Sequence, residues 1–194
     1  MGRSKTFADV EVVRAAREAF WSKGYESTGI ADLETATGLN RSSIYHAFGS
    51  KRGLFDEAVE SYLDDVVRPR LAPLAAEVVA PNALETYLRG LRDAMVDEPT
   101  SLAVNGCLLL NATAALLGHE GGLQQVVTRY CAELRAGVTA GAIARHPDVD
   151  APTIELIATT VTGLVFASMV VVRVDRTAAG RTLDAALSAA ERSM

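Results

Sequence analysis

Residues 28–51 read TGIADLETATGLNRSSIYHAFGSK, and this stretch decides the fold. Ile30 and Leu33 begin a short apolar face, and Gly38 then interrupts the pattern. A second short pattern follows, in which Ile44 and Phe48 lie four residues apart. Apolar residues at this spacing share one side of a helix, and glycine permits a sharp turn between two helices. The stretch therefore predicts a helix-turn-helix, whose second helix typically enters the major groove of DNA.

Three residues in this stretch are candidate helix caps. Thr28 is expected to cap the first helix, with its hydroxyl facing the free amides of the next turn. Asn40 is expected to cap the second helix, and Ser50 a further helix that begins at Lys51. Positive charge is unfavourable at a helix N-terminus unless a phosphate docks there. Lys51 is therefore expected to contact the DNA backbone.

The second helix carries polar side chains away from its apolar positions. These side chains are Arg41, Ser42, Ser43, Tyr45 and His46. A short helix that exposes a guanidinium, two hydroxyls, a phenol and an imidazole suits a groove of hydrogen-bond donors, acceptors and phosphates. The pattern predicts that this side of the helix reads DNA.

The rest of the chain is predicted to be helical. Apolar residues recur at helical spacing over residues 7–23 and 51–67, and Pro69 and Pro73 are expected to end the latter helix. Further helices are predicted over 82–96, 101–117, 123–145, 153–174 and 177–193, with a soft interruption at Gly106 and a loop over 118–122. No alternating strand pattern of useful length occurs. The predicted fold class is all-α, with an N-terminal three-helix helix-turn-helix domain over residues 1–52 and a C-terminal helical dimerisation and effector-binding domain over residues 53–194.

Charge and cysteine content agree with this organisation. The net charge of the 194-residue chain is −5, which by itself argues against nucleic acid. Residues 1–55 nevertheless hold eight Lys and Arg against six Asp and Glu, so the positive end is the end with the helix-turn-helix. Two cysteines and no apolar leader at the N-terminus indicate a cytoplasmic protein rather than a disulfide framework.

Residues 153–174 form the most apolar predicted helix. The uncharged run from Leu156 to Val172 has 17 residues, whereas a membrane span needs about 20 mostly apolar residues. We therefore expect no membrane partner, and we assign this helix together with residues 123–145 to a homodimer contact. Thr160, Gly163 and Ala167 would allow close approach between the protomers. The alternative is an internal core helix.

The chain resembles TetR-family transcriptional regulators. The resemblance covers about residues 7–66 and rests on Gly24-Tyr25, Thr28, Gly38-Leu39-Asn40-Arg41-Ser42-Ser43, Tyr45, Phe48, Ser50-Lys51 and Leu54-Phe55. It implies phosphate contacts by Thr28, Tyr45 and Lys51, base contacts by Arg41, Ser42 and Ser43, and either kind by His46. Two positions depart from the family pattern: Ala31 stands where an arginine often contacts the backbone, and Glu34 stands where a small residue usually packs against the second helix.

The resemblance also implies a small-molecule effector, held among the C-terminal helices. The candidate ligand-binding residues are Tyr87, Met95, Asn105, Cys107, Asn111, Tyr130, Phe166 and Met169. The sequence does not select a ligand, although the lack of clustered charge argues against a highly charged one. The expected function is a ligand-responsive repressor that binds a pseudopalindromic double-stranded DNA operator as a dimer.

Three alternatives remain open at this point. Cys107 follows Gly106 at a predicted helix start, where the helix dipole lowers a thiol pKa, and Gly-Cys-Leu also resembles electrophile-sensing members of the family. An electrophile- or redox-sensing repressor is therefore one alternative, and a helical adaptor that binds no DNA is the second. An enzyme is the third, but the chain has no phosphate-binding glycine loop and no Cys/His metal spacing. No cofactor, metal site or catalytic residue is expected.

Overall fold

A computed structural model describes residues 7–97, 99–113 and 121–191, and these residues form helices without strands. Eleven α-helices occur in these ranges. They are α1 Phe7–Lys23, α2 Ile30–Thr37, α3 Arg41–Phe48, α4 Lys51–Tyr62, α5 Arg68–Leu71, α6 Ala83–Val96, α7 Ser101–Asn105, α8 Leu108–Thr113, α9 Gly121–Arg145, α10 Ala151–Val171 and α11 Arg176–Glu191. A π-helical turn, Leu63–Val67, follows α4, and a 3-10 turn, Ala72–Leu74, follows α5.

Several predicted boundaries are wrong, each for a local reason. Pro69 does not end a helix, because it lies in the first turn of α5, where the missing amide hydrogen costs nothing. The interruption expected at Gly106 within residues 101–117 is present, and it divides the segment because the φ of +63° at this glycine lies in the left-handed region. Residues 114–120 are outside the described residues, and Gly121 and Gly122 belong to α9 rather than to the predicted loop.

The chain forms two compact units, Met1–Val67 and Arg68–Met194. The N-terminal unit extends beyond the boundary expected at residue 52, because α4 packs against α1 and α3. Helix α4 thus belongs structurally with the helix-turn-helix. The reason is visible in the sequence of α4, where Leu54, Phe55, Ala58 and Tyr62 provide a continuous buried side.

The core of the N-terminal unit is aromatic. Phe20 on α1 contacts Phe55 on α4 edge-to-face, with ring centroids 5.2 Å apart, and Trp21 meets Tyr62 in the same way at 4.9 Å. Leu33 of α2 and Ile44 of α3 are fully buried in the same unit. Edge-to-face pairs add a specific geometry to the burial of large apolar surfaces. This core holds α2 and α3 in place from one side and leaves their outer sides exposed.

Helices α6, α9, α10 and α11 form the body of the C-terminal unit. Helix α10 packs against α9 and α11, and α6 packs against α9 and α11. Leu74 fills a notch on α9 formed by Gly137 and Gly141, where any larger residue would meet the leucine side chain within about 3 Å. The notch attaches the 3-10 turn to α9.

Helix α10 has the length and composition of a membrane-spanning segment, and it is the only such helix in the part of the chain that the structure describes. Core helices commonly share these properties. Here Ile154, Ile157, Val161, Val165 and Met169 are buried against the neighbouring helices. The apolar character of α10 is therefore partly explained by packing within one protomer.

Candidate nucleic-acid interface

The turn between α2 and α3 is closed by local hydrogen bonds. Gly38 adopts a left-handed conformation with φ +70°, and its amide donates to the carbonyl oxygen of Glu34 at 2.9 Å. Asn40 caps α3 as predicted, because its side-chain oxygen accepts the amide hydrogen of Ser43 at 2.9 Å. Such caps satisfy amides that have no partner inside the helix. The direction of α3 is consequently set within a few residues.

Helix α3 places its polar residues on the side away from the core. Ile44 is fully buried, whereas Arg41, Ser42, Tyr45 and His46 are exposed and Ser43 is half-buried. Ser42 and His46 lie four residues apart and therefore share one side of the helix. The Arg41 guanidinium lies over the Tyr45 ring, 5.5 Å from its centroid. The result is a short exposed row of hydrogen-bond donors and one stacked cation.

Lys51 begins α4 and is held by an aromatic ring. Ser50 caps α4, with its hydroxyl oxygen accepting the amide hydrogen of Gly53 at 2.9 Å. The Lys51 ammonium lies 4.3 Å from the centroid of the Tyr25 ring, which in turn contacts Phe20 and Phe55. A cation over an aromatic face is stabilised electrostatically. Tyr25 was not among the predicted site residues, although the Gly24-Tyr25 pair could have indicated it.

Lys23 and Asp32 form an ion pair near Lys51. Lys23 Nζ lies 2.6 Å from Asp32 Oδ1, and Asp32 Oδ2 accepts the amide hydrogen of Gly29 at 2.7 Å. The hydrogen bond from Lys23, followed by that from Gly29, lowers the pKa of the Asp32 carboxyl. Lys51 lowers this pKa further by its charge. One carboxylate thus balances two lysines at the start of α2.

The prediction that Thr28 caps α2 is wrong. Gly29 is the N-cap residue, and Thr28 is fully buried. The Thr28 hydroxyl donates to the carbonyl oxygen of Gly24 at 2.6 Å, because the backbone turns back there towards α1. A buried hydroxyl with its own acceptor is not available to a phosphate. Thr28 is therefore withdrawn from the DNA-contacting residues expected from the sequence.

Glu34 has a role that the sequence did not indicate. The resemblance marked it only as a departure, because a small residue usually packs against the second helix at this position. Instead, Glu34 Oε1 accepts the amide hydrogen of Arg41, the first residue of α3, at 2.6 Å. Ala31 is exposed on the preceding turn of α2. The two departures from the family pattern thus lie on the same helix, and only Glu34 bonds to α3.

Comparison with known proteins gives the family. Residues 12–58 match the family model described as bacterial regulatory proteins, tetR family. The uncharacterized HTH-type transcriptional regulator YezE of Bacillus subtilis is 30% identical over 138 residues, which are 69% of this chain and 68% of YezE. The chain belongs to the TetR family. It is accordingly a DNA-binding transcriptional regulator of the helix-turn-helix type.

Other TetR-family relatives are similar over different shares of the chain. The HTH-type transcriptional repressor ComR of Escherichia coli is 30% identical over 123 residues, which are 63% of this chain and 57% of ComR. The solved structure of a cysteine mutant of the TetR-family regulator CifR, complexed with 26-base-pair operator DNA, is 27% identical, with a TM-score of 0.74 over 96% of this chain and 98% of CifR. A TetR-family regulator from Cytophaga hutchinsonii shares the fold, with a TM-score of 0.76 at 21% identity over 97% of this chain and 96% of that protein.

The predicted ligand-binding residues of this TetR-family chain fall into three local groups and one separate residue, Met95. The Tyr130 hydroxyl lies 3.6 Å from the Met169 sulfur, and its ring contacts Phe166. Asn111 bonds to the Asn105 carbonyl oxygen at 2.7 Å and to Arg173 at 3.1 Å. Burial raises the pKa of Tyr87, and the charge of nearby Cys107 raises it further. Met95 is fully buried and lies 3.9 Å from the Ser168 hydroxyl.

Three cavities in the C-terminal unit are bordered mainly by residues outside the predicted ligand-binding set. One of about 440 Å³ lies between α5 and α9, near Arg68, Leu71 and Glu133. A second of about 440 Å³ lies between α10 and α11. The third, of about 430 Å³, lies between α5 and α6 and is bordered by Tyr87. Of the eight predicted ligand-binding residues, only Tyr87 borders any of these three cavities.

Cys107 is fully buried between Gly106 and α8. Burial raises the pKa of the second thiol, Cys131. Buried thiols are generally unreactive, because the thiolate is the nucleophile and burial disfavours it. The burial of Cys107 therefore argues against a reactive thiol.

Helix α10 presents an exposed stripe of small and apolar residues. The stripe is Leu156, Thr160, Gly163, Ala167 and Val170, with alternating spacings of four and three residues. Leu156 and Val170 are more than half exposed. On α9, Ala132, Ala136 and Ile143 are exposed on one side at similar spacing. Arg135 of α9 forms an ion pair with Glu155 of α10, which ties the two helices together within one protomer.

Proposed function

We propose that this TetR-family regulator is a repressor that binds a pseudopalindromic operator as a homodimer and releases it when a small molecule binds the C-terminal unit. The observation that carries the proposal is the exposed polar side of α3 next to Lys51. The named repressor ComR and the operator complex of CifR support it by similarity. A function at an operator also implies a cytoplasmic location.

Residue roles follow from chemistry and position. Arg41, Ser42 and Ser43 lie near the start of α3, the end of a recognition helix that usually contacts base edges. An arginine can donate two hydrogen bonds to guanine, and hydroxyls can donate or accept. We assign phosphate contacts to Tyr45 and Lys51, because a phenol and an ammonium both bind phosphate oxygens. His46, exposed one turn after Ser42, can serve either role.

Dimerisation is expected through the α10 stripe and the exposed side of α9. Monomeric proteins rarely expose contiguous apolar surfaces without a partner. Small residues at Gly163 and Ala167 let two helices approach closely, and a two-fold axis would bring identical stripes together. Two linked copies of α3 then read two half-sites about one helical turn apart. One copy alone offers few base contacts, so pairing supplies much of the affinity.

The effector is expected to act by stabilising one of two arrangements of the dimer. A ligand that binds one spacing of the two α3 helices more tightly than the other shifts the population toward that spacing. The apolar character of Met95, Tyr130, Phe166 and Met169 favours a largely uncharged ligand. Alkylation of Cys107 is the less favoured route, because its thiol is fully buried.

The test is direct binding to DNA selected by the protein itself. Wild-type protein is used to select duplexes from a randomised library, and the affinity for the selected duplex is measured at several salt concentrations. A regulator gives a pseudopalindromic sequence and a steep salt dependence. If the selection enriches no sequence, that result would favour the adaptor alternative.

Lys51→Ala tests the phosphate contact. We expect weaker binding and a salt slope smaller by about one, since about one counterion is released per phosphate contact. The matched control is Arg89→Ala, which removes one exposed cation from α6 in the C-terminal unit. The control should leave the slope unchanged. An unchanged slope for Lys51→Ala would remove Lys51 from the phosphate contacts.

A further inference from the structure

The start of α3 is held by a carboxylate from the preceding helix. Glu34 lies on α2, and its Oε1 accepts the Arg41 amide hydrogen at 2.6 Å. The first amides of any helix have no acceptor within the helix itself. The α3 helix therefore obtains an acceptor for its first amide from outside the turn. The bond joins α2 directly to the residue that opens the recognition helix.

A second cap leaves little room for a phosphate at this end. Asn40 accepts the amide hydrogen of Ser43 at 2.9 Å, and the Asn40 carbonyl oxygen accepts that of Ile44 at 3.1 Å. With Glu34 on Arg41, three amides in the first turn of α3 have acceptors. A helix N-terminus usually attracts anions through its free amides and dipole. Here the carboxylate already occupies that position, and its negative charge would repel a phosphate.

Arg41 is consequently held both at its backbone amide and at the tip of its side chain. Its amide is bonded to Glu34, and its guanidinium lies over the Tyr45 ring at 5.5 Å. A long side chain held in this way loses less freedom when it meets a base edge. A phosphate that approached the start of α3 would meet the negative charge of the same carboxylate. Both effects favour a correctly matched sequence over other DNA.

We propose that Glu34 is a specificity-determining positioning residue: its carboxylate fixes the start of the recognition helix and opposes sequence-independent phosphate binding there. The inference rests on the proposed operator-binding function. Glu34 does not itself contact a base in this scheme. It acts through Arg41 and through its charge, so removing it should increase binding to unrelated DNA while weakening the preference for the operator.

Two variants separate the geometric effect from the effect of charge. Glu34→Gln keeps a side-chain oxygen that can accept the Arg41 amide hydrogen but removes the negative charge. Glu34→Ala removes both. The control is Glu26→Ala, which removes one exposed carboxylate from the same unit. Affinities are measured for the duplex selected by the wild type and for a scrambled duplex of equal length.

We expect the ratio of specific to non-specific affinity to fall about tenfold in Glu34→Ala, comparable to weakening one base contact. In Glu34→Gln, non-specific binding should rise with a smaller fall in the ratio. Glu26→Ala should leave the ratio unchanged. A variant that is only partly folded loses active protein equally for both duplexes, so the ratio is unaffected by stability. A second selection with Glu34→Ala should show relaxed preference at base pairs near the start of α3.

Two results would overturn the inference. One is an unchanged ratio in both Glu34 variants. The other is a change in the ratio that is equal in both Glu34 variants and in Glu26→Ala, because the net charge of the unit would then explain the whole effect. If the wild type itself prefers no duplex, the proposed function fails first, and that outcome is distinct from a failure at Glu34.

Discussion

Gly53 lets the first turn of α4 approach the end of α3. A Cβ atom at this position would lie 2.1 Å from the carbonyl oxygen of Phe48, a backbone atom that cannot move aside easily. This close approach places Lys51 next to the recognition helix. Glycine is required here for space, since the residue lies in a regular helix.

Gly53→Ala should therefore destabilise the N-terminal unit. We expect a loss of about 1–3 kcal/mol, typical of inserting a methyl group where there is no room. The single tryptophan, Trp21, lies in this unit and packs on Tyr62, so its fluorescence reports unfolding in urea. Gly90→Ala on α6 is the control, because nothing lies within 4 Å of its added Cβ. The control should be more stable by about 0.5–1 kcal/mol, as for alanine replacing glycine in a helix. Circular dichroism measures this change. Equal effects would refute the close approach at Gly53.

At the scale of elements, two arginines join α1 to the π-helical turn. Arg14 Nε and Arg17 Nη1 each lie 2.8 Å from Asp65 Oδ2, and Arg17 also donates to the Ser61 hydroxyl at 3.1 Å. The Arg17 side chain is only 11% exposed, so its guanidinium hydrogens need these protein acceptors. The hydrogen bond from Arg14, and then that from Arg17, lowers the pKa of the Asp65 carboxyl. The network fixes the end of the N-terminal unit against its first helix.

Asp65→Asn should destabilise the N-terminal unit by about 1–3 kcal/mol near neutral pH, because a buried guanidinium loses a charged acceptor. A lowered folded-state pKa means that the contribution of Asp65 is complete above its ordinary value of 3.8 and is lost as the pH falls through the lower folded value. The difference between wild type and variant in Trp21-monitored urea unfolding should therefore shrink as the pH falls below 3.8.

The control for Asp65 is Asp56→Asn on α4. Asp56 forms an exposed pair with Arg52 four residues earlier, and such pairs contribute about 0.5 kcal/mol or less. If Asp65→Asn were no more destabilising than Asp56→Asn, the two arginines would not depend on Asp65.

At the scale of the whole molecule, the operator-binding form is a dimer in our proposal. The α10 stripe contains Gly163, and nothing within the protomer lies within 4 Å of a Cβ added there. A larger side chain at Gly163 therefore leaves the fold of one protomer intact. It would, however, separate two stripes that meet across a two-fold axis.

Gly163→Arg should make the protein monomeric at micromolar concentration. Two unpaired charges in the contact should raise the dimer dissociation constant about a hundredfold, or about 3 kcal/mol. Sedimentation velocity measures the change, and operator affinity should fall with it. Gly90→Arg, at an exposed position of α6, should remain dimeric. A dimeric Gly163→Arg protein would exclude the α10 stripe as the contact.

The sequence by itself determined the features that depend on neighbouring residues. The caps at Asn40 and Ser50 are side chains that accept backbone amide hydrogens within a few positions. The stop at Gly38 comes from the backbone freedom of glycine, and the exposed polar side of α3 from helical spacing. Local hydrogen bonds and helical spacing need no knowledge of distant residues. This is why residues 28–51 were sufficient to predict the helix-turn-helix.

Only the tertiary structure decided the roles of Thr28, Glu34 and Tyr25. Thr28 looked like a cap but is turned into the core, Glu34 bonds seven residues ahead, and Tyr25 in the turn after α1 meets Lys51 of α4. The sequence indicated the interruption at Gly106, but only the structure shows the close packing there, since a Cβ would meet the Met169 carbonyl oxygen at 2.1 Å. Each depends on how helices approach one another, and helical spacing along the sequence does not determine that approach.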